Sequence, residues 1–96
     1  MRIVTKKNSY PPDPDRETIL NMFHRRCIMC GRFTDVIHEI IPRSSGKIAM
    51  EIANRVPLCA EHHDWAHREG TKVSIPVLQK VREKVLALYA DHAAEV

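Results

Sequence analysis

The stretch Cys59-Ala60-Glu61-His62-His63-Asp64-Trp65-Ala66-His67 holds four metal-ligand side chains, and helical geometry sorts them into two sets. On a helix beginning near Cys59, Cys59 and His62 (i, i+3) share one face, while His63 and His67 (i, i+4) share another. His62 and His63 are sequence neighbours, yet a 3.6-residue turn sets them about 100° apart, so they look in different directions. One short helix can therefore serve two metals, with upstream residues completing each set.

Cys27 and Cys30 complete the first. Cys27-x2-Cys30-x28-Cys59-x2-His62 is a Cys3His pattern with two-residue spacings at both ends. Zinc takes such ligands tetrahedrally, at roughly 2.3 Å to sulfur and 2.0–2.1 Å to nitrogen. Four protein ligands leave no open position, so this metal is expected to support folding and do no chemistry. Buried free cysteines beside a surface histidine would account less well for the paired spacing. The residues left for a second site are His38, Glu39, Asn54, His63 and His67.

The elements that must position these residues follow from local patterns. Residues 1–12 read as a basic arm or edge strand closed by Tyr10-Pro11-Pro12. Asp13-Pro14-Asp15 opens a short helix over roughly 14–25, with Ile19, Leu20 and Phe23 as its apolar stripe. Cys27-x-x-Cys30-Gly31 is a knuckle, the Gly permitting the turn that brings both sulfurs inward. Phe33 to Ile41 alternates as a strand that stops before Pro42. Ser44-Ser45-Gly46 is loop, Lys47 to Ala53 one short helix, and Asn54 to Leu58 a second strand. The ligand helix runs to about Glu69 and is capped by Gly70. After Ser74, with Pro76 in the first turn, a helix from Val77 to about Ala93 buries Leu78, Val81, Val85, Leu88 and Tyr89. Lys80, Arg82, Glu83 and Lys84 turn mostly outward. The expectation is a single α+β domain over 1–96: arm and helix 1–26, core motif 27–69, C-terminal helix 75–94.

Composition narrows the class. A 96-residue chain with 5% aromatics buries a modest core, for which a metal staple is a common supplement. A formal charge of +3 is a mild bias towards polyanions, and a solvated surface explains it equally well. More telling, Arg25, Arg26, Arg32, Arg43, Lys47, Arg55 and Arg68 all lie in or beside the ligand region. Three cysteines cannot form a full disulfide framework, and the Cys-x-x-Cys spacing reads as a metal site in a reducing compartment. Met1 to Lys7 lacks the apolar core of a signal peptide, and no run approaches the roughly 18 residues of a membrane span. A cytoplasmic protein without a membrane partner is expected.

From Cys27 to His67 the chain resembles the HNH nucleases, in the branch whose core is flanked by cysteine pairs. Their shared core is a strand hairpin plus helix around one metal, the ββα-metal or His-Me finger. His38-Glu39-Ile40-Ile41-Pro42-Arg43-Ser44 is similar to the family's first strand and turn. Asn54-Arg55-Val56-Pro57-Leu58-Cys59 is similar to the second strand with its Asn, and His63-x3-His67 to the helix ligands. The rest of the chain has no counterpart in the family pattern.

The resemblance implies a metal-dependent endonuclease hydrolysing DNA phosphodiester bonds with weak sequence specificity. His38, His63 and His67 would hold the catalytic cation, with positions left for phosphate and water. Zinc, manganese, nickel or cobalt suits imidazole, and magnesium can be held once phosphate and water complete its shell. Asn54 would hold the loop bearing the base, and Arg43, Arg55 and Arg68 are phosphate contacts by charge and proximity. A homodimer would let a small nuclease cut both strands.

One departure matters. Where the family usually has its general-base His, this chain has Glu39. A carboxylate with an ordinary pKa near 4.3 is a weaker base at neutral pH than imidazole. Three readings stay open: Glu39 as base, Glu39 as a direct metal ligand, or a one-residue register shift that makes His38 the base. Strand alternation disfavours the shift. The rival function is a zinc-binding nucleic-acid adaptor with a weak or dead centre; a zinc module that binds protein is a further one. His24 and His92 read as surface residues, Asp64 as an exposed helix residue, and Trp65 as core.

Overall fold

The computed structural model describes residues 13–95; the arm read over 1–12 and the side chain of His92 lie outside the described residues. Helix α1 (Arg16–Met22) is shorter than the 14–25 pattern suggests. Asp15 is its N-cap residue and makes no side-chain cap bond; Asp13 closes the turn before it, its Oδ1 accepting the Asp15 amide at 3.0 Å and its carbonyl the Arg16 amide at 3.3 Å. Ile19, Leu20 and Phe23 are fully buried, as the stripe requires. The chain then turns back sharply, with His24 and Arg25 both at φ 57°. Left-handed backbone is costly for such residues. It is held here by the Arg25 amide on the Leu20 carbonyl at 2.8 Å and by Tyr89 Oη donating to the Phe23 carbonyl at 3.3 Å.

Strand β1 (Ile37–Glu39) and strand β2 (Arg55–Pro57) form an antiparallel hairpin with Ile37 opposite Pro57, His38 opposite Val56 and Glu39 opposite Arg55. The expected strand from Phe33 to Ile41 is thus reduced to three residues paired with β2, while Phe33 bridges separately to Arg26. Side chains compete with the ladder at both ends. Thr34 Oγ1 accepts the Val36 amide and donates to the Leu58 carbonyl, both at 3.1 Å, and Asn54 captures the backbone of Ile41. Between the strands, the expected helix over 47–53 is replaced by single 3₁₀ turns at Arg43–Ser45, Lys47–Met50 and Ile52–Asn54. Gly46 at φ 93° and Glu51 in extended conformation interrupt what would otherwise be one helix.

Helix α2 (Ala60–Glu69) follows Cys59, which is its extended N-cap residue and not, as read from the sequence, part of the helix. It ends before Gly70, whose φ of 81° suits glycine and whose amide reaches the Ala66 carbonyl. Helix α3 (Thr71–Glu95) follows at once, six residues earlier than the Val77 start read from the sequence. The Gly70 carbonyl accepts the amides of Val73 and Ser74, which starts the helix before Pro76. Pro76 removes one backbone bond, to the Lys72 carbonyl, and both residues are exposed, so water can take its place. Leu78 is fully buried, and Val81, Val85, Leu86 and Tyr89 pack on the core. Leu88 is not part of that stripe: at 66% exposure it falls off the line drawn by Leu78, Val85 and Tyr89. Arg82, expected outward, is half-buried with its guanidinium 5.8 Å from the Phe23 ring. Trp65 packs against the core. Among the described residues no helix is long and apolar enough to cross a membrane.

Candidate metal centres and cleft

The Cys3His set comes together at the junction of the knuckle and α2. The Gly31 amide bonds to the Cys27 carbonyl at 2.9 Å with Gly31 at φ 82°, which folds Cys30 back beside Cys27. The Ile28 amide on the Pro57 carbonyl ties the knuckle to β2. The four ligand atoms lie within 4.8 Å of one another. Cys30 Sγ is 3.7 Å from Cys59 Sγ, and His62 Nδ1 is 3.3 Å from Cys59 Sγ and 3.7 Å from Cys27 Sγ. A zinc tetrahedron with ordinary bond lengths has S–S edges of about 3.8 Å and S–N edges of about 3.6 Å. These residues therefore fit the ion, and this buried group could hold a structural zinc. Burial raises the Cys27 thiol. Burial also opposes ionisation of Cys59, but the His62 amide, the His62 ring and the sulfurs of Cys30 and Cys27 bring it down to about 6. A thiolate at neutral pH is what a metal requires.

The second group is His38 from β1 with His63 and His67 from α2, again with ligand atoms within 4.8 Å. Ring centroids are 5.2 Å apart for His38 and His63, 5.7 Å for His38 and His67, and 4.6 Å for His63 and His67. All three pairs meet edge-on, at 80–88°. Burial, then the neighbouring His63 and His67, pushes His38 down to about 4, against a small opposing pull from Glu39. Burial and His67 lower His63 in the same direction. Neutral imidazoles keep a lone pair for a cation, so the donor set fits a divalent ion with soft or borderline character.

A pH dependence follows for the chain without that cation. His38 titrates near 6.5 when unfolded and near 4 when folded. The unfolded chain then binds more protons between these values, so the stability is fully present above about 6.5 and is lost as pH falls towards 4. Urea denaturation of wild type and His38→Gln between pH 7 and 5 should show wild type losing more stability than the variant.

Both groups border different sides of α2, and the histidine trio opens into a cleft of about 530 Å³. His62 and His63 are divided between the two groups. The His63 amide bonds to the Cys59 carbonyl at 2.8 Å, linking the two through one helical turn. Glu39 and Arg43 also line the cleft, joined by an ion pair of 3.0 Å. The trio contains no carboxylate; that of Glu39 is held by Arg43.

Asn54 is buried, and its side-chain hydrogen bonds all go to backbone groups. Its Oδ1 accepts the Ile41 amide at 2.8 Å, and its Nδ2 donates to the carbonyls of Ile41 at 2.9 Å and Ala49 at 3.1 Å. The Ile40 amide on the Asn54 carbonyl adds a fourth bond. Asn54→Ala should leave the part-buried Ile41 amide and two carbonyls without their Asn54 partner, destabilising the domain by roughly 2–3 kcal/mol in urea denaturation.

The three arginines named as phosphate contacts differ in their surroundings. Arg43 is exposed on the cleft. Arg55 lines the same cleft but is 3% exposed and paired with Asp13 at 2.7 Å and Asp15 at 3.4 Å. Burial works to raise Asp13, yet the Arg55 hydrogen bond, the Asp15 amide and the charges of Arg55 and Arg16 hold it below the usual carboxylate range. Arg68 is exposed but is not among the residues lining the cleft. Asp13, Arg16, Met50, Thr71 and Ser74 line it without having been singled out from the sequence. Asp13 carried only a capping signal, and no local pattern brings α1 or the start of α3 to the hairpin. Comparison with protein-family models, with curated proteins and with solved structures gives no match.

Proposed function

We propose that this chain is a metal-dependent endonuclease of the HNH type, with β1, β2 and α2 as its ββα-metal finger. The observation that carries the reading is the convergence of His38, His63 and His67 on an open cleft that also holds Glu39. A divalent cation held by the three imidazoles would polarise a scissile phosphate and stabilise the departing 3′ oxygen.

Glu39 accepts a proton from water as the water oxygen bonds to phosphorus. The bond from phosphorus to the 3′ oxygen breaks, and that oxygen leaves with its electron pair and takes a proton from solvent. The products are a 5′-phosphate and a 3′-hydroxyl. Membership of His38 in the trio supports its role as ligand and leaves Glu39 as the base in this register. Asn54 fixes the turn that follows Glu39, so the carboxylate stays over the cleft. Arg43 offers the exposed guanidinium. Contacts of this kind read backbone, so sequence preference should be weak; DNA as the substrate class comes from the HNH resemblance.

The Glu39–Arg43 ion pair favours a second reading, in which the carboxylate stays occupied and the domain is a zinc-binding nucleic-acid adaptor. Plasmid nicking with added manganese, nickel or magnesium separates the two. Glu39→His supplies a base with a pKa nearer neutrality and is expected to preserve or raise nicking. If Glu39→His abolishes nicking at equal metal content, Glu39 does not act as the base; if wild type never nicks, the adaptor reading stands.

A further inference from the structure

Arg43 Nη2 donates to Glu39 Oε2 at 3.0 Å and lies 3.7 Å from Met50 Sδ. Its side chain is 75% exposed, against 23% for Glu39. It stands on the turn just after Pro42, and Asn54 pins the backbone of the preceding Ile41. Two other arginines line the cleft: Arg55 is buried on two aspartates, and Arg16 donates to the Asp35 carbonyl. Among the described residues, then, the exposed guanidinium nearest the chemistry is paired with the carboxylate that the reaction needs.

Resting on the nuclease reading, we propose that Arg43 exchanges partners on binding: it holds Glu39 in the free protein and moves to a non-bridging phosphate oxygen of the bound strand, which releases Glu39. An ion pair exposed on one side is weakened by water and salt. A guanidinium on phosphate forms charge-assisted bonds in a matching fork and releases a condensed counterion. The exchange therefore runs towards the phosphate, and it couples release of the base to the presence of a backbone to cut. A free protein keeps Glu39 guarded.

The test is a binding cycle with a phosphorothioate duplex that resists cleavage, using zinc-loaded protein. Arg43→Ala should raise Kd about tenfold and reduce the slope of log K against log salt by about 0.9. Arg43→Lys keeps charge without the fork and should fall between. Glu39→Gln removes the competing carboxylate, so it should tighten binding, and by at least about threefold more in the wild-type background than in Arg43→Ala. Thermal melts establish that each variant is folded; Arg43 is exposed, so its loss opens no cavity. An equal effect of Glu39→Gln in both backgrounds, or an unchanged salt slope in Arg43→Ala, overturns the exchange. Wild type that nicks plasmid with an additive cycle keeps the nuclease reading and removes the exchange. A coupled cycle without nicking does the reverse, and absence of duplex binding removes both.

Discussion

Chelation of the Cys3His metal is expected to unfold the domain. Cys27 and Cys59 are buried in the hydrophobic core beside Ile28, Val56 and Leu58, and the site joins the knuckle, β2 and α2. A structural zinc of this type contributes on the order of 10 kcal/mol, as much as the whole stability of a typical small domain. Without the ion, three sulfurs and a ring crowd one another with nothing to neutralise the Cys59 thiolate. Far-UV circular dichroism during thermal melts, before and after chelation and after zinc is returned, should show loss and recovery of a cooperative transition. Cys30→Ala is the sharper variant: Cys30 is exposed, so its removal takes away a ligand without opening a core cavity. A chain that stays folded and metal-free would remove the structural site.

His63→Ala should have the opposite profile, with a large functional loss and little structural one. The Cys3His group is untouched, alanine is a good helix former, and the backbone bond from residue 63 to the Cys59 carbonyl survives. Two imidazoles alone hold a divalent ion poorly, so metal content should drop from two ions per chain to one. Plasmid nicking should fall by about 10³-fold or more, equivalent to roughly 4 kcal/mol of transition-state stabilisation. Metal analysis and nicking on the same preparation check both. Nicking that persists in the variant would come from a contaminant or from another site.

How much of this was legible in the sequence depended on range. The three histidine ligands on α2 are fixed by helical periodicity, which is local, with Cys59 just ahead of the helix, and the two groups divide His62 from His63 as that periodicity requires. The antiparallel hairpin was legible as two apolar segments, but its length was not. Thr34 and Asn54 end the pairing with their side chains, and a propensity reading does not weigh that competition. The helix start at Thr71 was hidden because Pro76 reads as a first-turn residue, whereas Gly70 supplies the carbonyl that starts the helix earlier. The pairing of Arg55 was hidden for a different reason. Its partners Asp13 and Asp15 lie about 40 residues away in sequence, and only packing of α1 on β2 brings them into range. Leu88 and Arg82 show the limit of assigning a stripe by residue type, since a leucine is left outside while a half-buried arginine sets its guanidinium over Phe23.

The central claim is that one helix of ten residues divides its ligands between a closed ion and an open one. Anomalous diffraction at the zinc edge, from crystals grown with excess zinc, tests it most directly. The expected map has two peaks per chain. One is surrounded by Cys27, Cys30, Cys59 and His62 Nδ1, and the other by His38, His63 and His67 with solvent completing its shell. A single peak gathering His62, His63 and His67 on one ion, or no density beside the hairpin at saturating zinc, would contradict it.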